Sequence, residues 1–207
     1  MRTNGRMKSF VRPVLLLAVA GLTSVLVGCG SSRSSSYDGL ELAKPVALPD
    51  VTLTDTSGQS FNLPADSKGK LALYYFGYTN CPDVCPTTMA DLGTALTKLS
   101  ADQRARVEVV FITTDPADDT PPVLRKWLDN FSPSFIGLRS DLKTVQSTAA
   151  KVGVVAEDPS TDSNGKVTDT HGAQVIAFSP GDGLAHLVWT QGTTPAQYAH
   201  DIALLLG

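Results

Sequence analysis

From Val51 the chain reads VTLTDTSGQSFNL, apolar and polar positions alternating on both sides of Ser57-Gly58, which predicts two strands joined by a tight turn. Lys70 to Gly77, KLALYYFG, is apolar almost without interruption and predicts a strand buried on both faces. TNCPDVCP then breaks the run, and from Thr87 the residues Met89, Leu92, Leu96 and Leu99 recur at helical spacing, predicting a helix to about Ser100 with Pro86 in its first turn. A strand over Val107 to Thr113, a loop TDPADDT, a helix from Pro121 to Asn130, a short strand near Phe135 and a helix from Asp141 to Lys151 follow. This alternation reads as βαβ units around a parallel core. Glu157 to Thr170 is almost devoid of apolar residues and reads as a surface loop or β-excursion. AQVIAFS and LAHLVWT flank the turn residues Pro180 to Gly183 as an antiparallel hairpin, and a closing helix spans Pro195 to Leu206 with Tyr198, Ile202 and Leu205 on one face. The expected fold class is α/β: a central mixed sheet with flanking helices and an N-terminal β-hairpin.

The first thirty residues belong to a different pattern. Arg2, Arg6, Lys8 and Arg12 precede an apolar run from Val14 to Val27, the layout of a secretory signal and too short to cross a bilayer comfortably. The run ends in LVGC, Leu26 to Cys29, which resembles the lipobox of bacterial lipoproteins, where the chain is cut before the cysteine and its sulfur takes a diacylglycerol. The plainer alternative is an ordinary signal with a leftover cysteine. The organisation expected is a lipoprotein signal peptide over 1–28, lipidated Cys29 with a flexible Ser/Gly-rich linker over 29–44, and a folded domain over 45–207. Each buried methylene of an acyl chain contributes about 0.8 kcal/mol, so such a domain is held at the extracytoplasmic face of a bacterial membrane. Loss of residues 1–28 removes four positive charges and no acidic ones, moving the formal charge from −3 to −7. An acidic domain excludes nucleic acid and anionic lipid as its main partners.

Within the domain the chemistry concentrates at Cys81 and Cys85, on a loop between a central strand and a helix, where α/β folds present ligands. A helix N-terminus favours thiolate over thiol, and a thiolate binds metal or attacks a disulfide. Three intervening residues would separate the pair by about 6 Å of helical rise if both were helical, near the upper end of disulfide geometry. Pro82 and Pro86 disfavour helical geometry at the residues before them and stiffen the loop. A structural disulfide, a redox pair and a metal site are all compatible with these residues. A metal site needs a third ligand, and His171, between the polar loop and the strand AQVIAFS, is the best placed histidine; His186, in a strand, and His200, on the polar side of the last helix, read as solvated or packing residues. Two thiolates and an imidazole form a soft set that suits Cu(I), with Cu(II) also accepted by imidazole, whereas structural zinc prefers four closed ligands. A peroxiredoxin is disfavoured because Tyr74 and Tyr78 stand where its Pro and Thr would precede Cys81.

YYFGYTNCPDVCPTTM, TTDPADDTPPVLRKWL and THGAQVIAFSP together resemble the three signature blocks of the Sco/SenC family, thioredoxin-like, membrane-tethered copper proteins. The resemblance implies a thioredoxin-like fold and copper ligation by Cys81, Cys85 and His171. It implies delivery of copper to the binuclear centre of cytochrome c oxidase subunit II, or reduction of that subunit's cysteines, with another copper chaperone as a potential donor. No catalytic turnover on a small molecule is required. The family often has Asp-His-Ser in the third block; here it is Thr170-His171-Gly172, so support from an aspartate must come from Asp169 or elsewhere. Asp115 and Asp119 are expected to cap the next helix or brace the metal loop rather than to ligate. The alternative function is a thiol-disulfide oxidoreductase acting on extracytoplasmic cysteines, with Cys81 attacking and Cys85 resolving.

Overall fold

The computed structural model describes residues 37–157, 160–161, 167–168 and 172–207. Their elements in chain order are β1 (Leu40–Ala47), β2 (Thr52–Asp55), β3 (Ser60–Asn62), α1 (Leu63–Asp66), β4 (Leu71–Gly77), α2 (Val84–Lys98) and α3 (Ala101–Ala105). Then come β5 (Val107–Thr113), α4 (Pro121–Asp129), β6 (Ile136–Arg139), α5 (Leu142–Lys151), β7 (Ser160–Thr161), β8 (Val167–Thr168), β9 (Val175–Phe178), β10 (Leu184–Trp189) and α6 (Pro195–Leu206).

Eight strands form one sheet in the order β1-β10-β9-β4-β5-β6-β2-β3, and β7 pairs with β8 in a separate small hairpin. The strands β4, β5 and β6 run parallel, as the βαβ reading predicts, while β9 and β2 join antiparallel on either side. The sheet is therefore mixed. Every residue of β4 is buried because both faces of the sheet are covered. On one face Leu71, Leu73 and Tyr75 pack with Met89 and Leu92 of α2, Leu124 of α4 and Ile202 of α6. On the other face Ala72, Tyr74 and Phe76 pack with Leu63 of α1 and Val145 and Ala149 of α5. The side-chain period of two turns one uninterrupted apolar run into two half-cores.

The N-terminal boundary differs from the sequence reading. The strand β1 starts at Leu40, inside the stretch read as linker, and precedes the β2–β3 hairpin, which is thus not the first element. It pairs with β10 at Leu40 and Glu41, slips, and pairs again at Val46 and Ala47, so Lys44 and Pro45 sit in the irregularity of an edge strand. Proline cannot donate to a ladder and is tolerated at such a place. Most of β1 is exposed, so no alternation marks it in the sequence. The helices α1 and α3 were also not anticipated; at four and five residues they are shorter than one amphipathic repeat and rest on side-chain caps from Asn62 and Ser100. Among the described residues no helix is long and apolar enough to cross a membrane. Residues 1–28, with the expected signal peptide, and Cys29 lie outside the described residues.

Candidate metal centre

The strand β4 ends at Gly77, and its partner β5 ends at Thr113, so both deliver their following loops to the same edge of the sheet. The first loop carries Cys81 and leads into α2, whose second residue is Cys85. The helix begins at Val84, three residues ahead of the periodic signal. Its N-cap, Asp83, makes no side-chain cap bond. Instead the Cys85 N–H donates to the Cys81 Sγ at 3.4 Å, so the sulfur stands in for the capping oxygen that normally takes an N–H in the first turn. Cys81 itself is not helical, as Pro82 requires. Cys85 is helical despite Pro86, because a proline in the first turn lacks only an N–H that has no intrahelical acceptor there. The straight helical rise between the cysteines therefore never applies, and the two side chains are hydrogen-bonded to each other.

The pair is unequal. Cys81 is 9% exposed and Cys85 is fully buried. The Cys85 sulfur accepts hydrogen bonds from the Tyr75 hydroxyl at 3.6 Å and from the backbone N–H of Tyr78. Its thiol is nevertheless pushed well above the ordinary cysteine range, first by the Cys81 sulfur against it and then by burial, with those two donors pulling the other way. Burial likewise raises the Tyr75 phenol, so that hydroxyl stays a donor. The space for this arrangement comes from Gly77: a Cβ there would lie 2.9 Å from the Cys85 Sγ and 2.7 Å from the Tyr75 Cε1.

The loop after β5 braces the cysteine loop. The Asp119 carboxylate, fully buried, accepts from the Thr79 N–H at 3.1 Å and from the hydroxyls of Thr79 and Thr113. Burial raises its carboxyl above the ordinary range, and the hydrogen bonds from Thr113 and Thr79 only partly offset that. Asp115 accepts from the Asp118 N–H at 3.4 Å within the same loop, and the Arg139 guanidinium holds the Pro116 carbonyl. Asp119 thus takes the bracing role expected of it; the cap of α4 is Thr120, not an aspartate.

His171 lies outside the described residues, as do Asp169 and Thr170. Its neighbour Gly172 donates its N–H to the Val155 carbonyl at 2.8 Å. The antiparallel pairing of β9 with β4, Tyr74 opposite Ile176, brings the start of β9 to the end of β4 that carries the cysteines. His186 is half-exposed and pairs with Asp182 at 2.8 Å, and His200 is half-exposed between Asp38 and Asp201. The last three residues could together be taken for an ion site. Both oxygens of Asp201 are occupied, however, by the N–H groups of Asp38 and Gly39, the Trp189 Nε1 and the His200 Nδ1, which makes the group a clamp on the root of β1.

Sequence reasoning picked out Cys81, Cys85 and Asp119 but missed Tyr75, Gly77 and Thr79. All three lie inside the quoted YYFGYTN block, yet their roles depend on distances that spacing does not reveal. Two interacting cysteines in a pocket kept open by a glycine are a fit for a soft, low-coordinate cation such as Cu(I).

The SCO1/SenC family profile matches residues 43–207. A putative copper-binding protein of Stutzerimonas stutzeri is 30% identical over 173 residues, covering 84% of this chain and 84% of that protein. Protein SCO1, mitochondrial, of Saccharomyces cerevisiae is 33% identical over 149 residues, which cover 70% of this chain and 50% of the yeast protein. Among solved structures, Bradyrhizobium japonicum ScoI with copper bound superposes with a TM-score of 0.66 at 29% identity, over 78% of this chain and 98% of that one. Apo Sco1 from Thermus thermophilus gives a TM-score of 0.72 at 29% identity, over 84% of this chain and 99% of that one. The profile runs from within β1 to the end of α6 and so takes in the mixed sheet, both brace loops and the cysteine pair: the chain belongs to the SCO1/SenC family and has its thioredoxin-like fold.

Proposed function

We propose that this protein is a membrane-tethered copper metallochaperone acting in cytochrome c oxidase assembly, with Cys81, Cys85 and His171 as its copper ligands. The observation that carries this reading is the interacting cysteine pair at the head of α2, Cys81 nearly buried and Cys85 fully so. Thiolates select Cu(I), and the backbone N–H on Cys81 and the hydroxyl on Cys85 are already aimed at the sulfurs before cargo arrives. Support for His171 comes from the start of β9, which enters the sheet at the cysteine end. Relatives named for copper binding and a Sco structure with copper bound support the cargo. Cys29 supplies the anchor as a lipidated residue after signal cleavage, at the extracytoplasmic face of a bacterial membrane.

Hand-over proceeds by ligand exchange. A thiolate of the acceptor, the copper-centre site of cytochrome c oxidase subunit II, displaces the more accessible Cys81 first, and further acceptor ligands then replace Cys85 and His171. Both cysteine protons must leave when copper binds, so loading releases protons. The test is a copper titration of the reduced full-length protein, followed by mixing with an apo subunit II fragment. About one copper per chain, weakened in His171→Ala and abolished as a tight site in Cys81→Ser and Cys85→Ser, is the expected result. Unchanged copper affinity in all three variants would overturn the ligand assignment.

The interaction between the cysteines and the greater accessibility of Cys81 also favour a second reading, a thiol-disulfide oxidoreductase that keeps the acceptor's cysteines reduced. In that case the metal-free protein exchanges rapidly with a mixed disulfide of a subunit II peptide. Slow exchange alongside normal copper transfer rejects it.

A further inference from the structure

Tyr74 and Tyr75 are consecutive, both fully buried, and point to opposite faces of β4. The Tyr74 hydroxyl meets Ser67 at 2.8 Å and the Leu63 carbonyl at 3.3 Å, on the face of the sheet opposite the one that packs with Cys81 and Cys85. The Tyr75 hydroxyl instead reaches the Cys85 Sγ. Burying a phenol in place of a phenyl ring costs stability unless its hydroxyl is bonded. Phenylalanine would fill the same volume, so the hydroxyl on the sulfur is not a packing requirement.

Thr88, one turn after Cys85 on α2 and buried, shares a side-chain hydrogen bond with the Tyr75 hydroxyl. The phenolic O–H itself is directed at the Cys85 sulfur. The Tyr75 ring packs against Phe111, with centroids 5.9 Å apart, in space left by the absence of a Cβ at Gly77. Hydroxyl, ring and sulfur are thus held by three different elements. Cys85 receives two donors, the Tyr75 O–H and the Tyr78 N–H, whereas Cys81 receives the Cys85 N–H and is the more exposed.

We propose that Tyr75, packed against Thr88, is a positioning residue whose hydroxyl fixes the buried Cys85 sulfur in place, so that Cys85 is the retained anchor and the less buried Cys81 the exchanging ligand during copper transfer. The proposal rests on the copper reading for its role in transfer. Its physical content, a hydrogen bond that favours the reduced Cys85 sulfur, exists without metal and is testable without it.

The experiment compares full-length wild type, Tyr75→Phe and Tyr74→Phe, each of which loses one buried hydroxyl. Thermal unfolding first establishes that both variants fold with similar losses. The metal-free proteins are then equilibrated with glutathione. Oxidised glutathione accepts the two electrons and two protons as the Cys81–Cys85 bond forms, and two molecules of reduced glutathione leave. Tyr75→Phe is expected to shift that equilibrium about three- to tenfold toward the disulfide, and Tyr74→Phe to leave it within twofold. The Cu(II)-loaded proteins are compared by their sulfur-to-copper charge-transfer absorption, which moves to longer wavelength only in Tyr75→Phe. If Tyr75→Phe and Tyr74→Phe behave alike in the glutathione equilibrium, the positioning role is overturned. If no variant or wild type binds copper, the copper reading fails while the glutathione result still decides on Tyr75.

Discussion

At the scale of single residues the site depends on what is absent as much as on what is present. Gly77 has an ordinary strand position, yet a methyl group there would overlap a sulfur and a ring edge that are themselves fixed from behind. Overpacking of this kind typically costs about 1–3 kcal/mol. Gly77→Ala is therefore expected to lower stability by that amount in urea titration and to weaken copper binding more than an equally destabilising change elsewhere. Asp119 poses the complementary case, a buried carboxylate that accepts two hydroxyls and one N–H. Its folded-state carboxyl lies above the ordinary value of 3.8, so its linkage contribution favours the fold most at pH below 3.8 and diminishes as pH rises toward the raised value. The charge is kept for position, not for stability at neutral pH. Asp119→Asn is expected to speed hydrogen exchange at Thr79 and Cys81 and to weaken copper binding, with exchange in β4 and β5 unchanged; slowed or unaltered exchange in the loop would refute the brace.

Among the elements, legibility followed periodicity. The strands β4, β5 and β9 were visible as uninterrupted apolar runs, and β10 and the helices α4, α5 and α6 because their buried positions repeat at period 2 or 3.6. The element β1 was not, since most of its side chains are exposed and only Leu42 and Val46 pack on the core, while four residue pairings hold it to β10. The start of α2 was legible through Pro86, which lies in its first turn as read, but not the device that closes it, a cysteine sulfur in place of a capping oxygen, which no propensity rule includes. By contrast, α6 is bounded by a readable device, the Thr194–Gln197 capping box followed by Pro195 in the first turn. Thr194→Ala is expected to cost about 1 kcal/mol, read as a lower denaturation midpoint with an unchanged slope.

For the molecule as a whole, the most consequential contact is one that sequence separation conceals. Asp201 of α6 reaches back 162 and 163 residues to the N–H groups of Gly39 and Asp38, and also takes the Trp189 indole N–H. This ties the root of β1, where the proposed tether joins, to the helix that packs against α2. Burial alone would raise the Asp201 carboxyl, but its hydrogen bonds outweigh that and hold it below the ordinary 3.8. A depressed carboxyl contributes stability above the unfolded value of 3.8, and that contribution is lost as pH falls through the lower folded value. Asp201→Asn is thus expected to melt about 5 °C below wild type at pH 7, since hydrogen bonds to a charged group are the strong ones. The gap should close below pH 3.8; a gap that persisted undiminished in acid would show that charge is not what the clamp uses.

Taken alone, the order of apolar and polar residues determined the parallel core, the flanking helices, the position of the two cysteines at the head of a helix and the family signature. Those features are local, because each is encoded by neighbours in the chain. Only the tertiary structure decided that the two cysteine side chains interact, that a tyrosine and a glycine from the strand below shape the pocket, that Asp119 reaches across to Thr79, and that the root of β1 is clamped by Asp201. Each of these joins residues of different elements or sets them within a few ångströms of one another, and distance through space is fixed by packing and register rather than by spacing along the sequence.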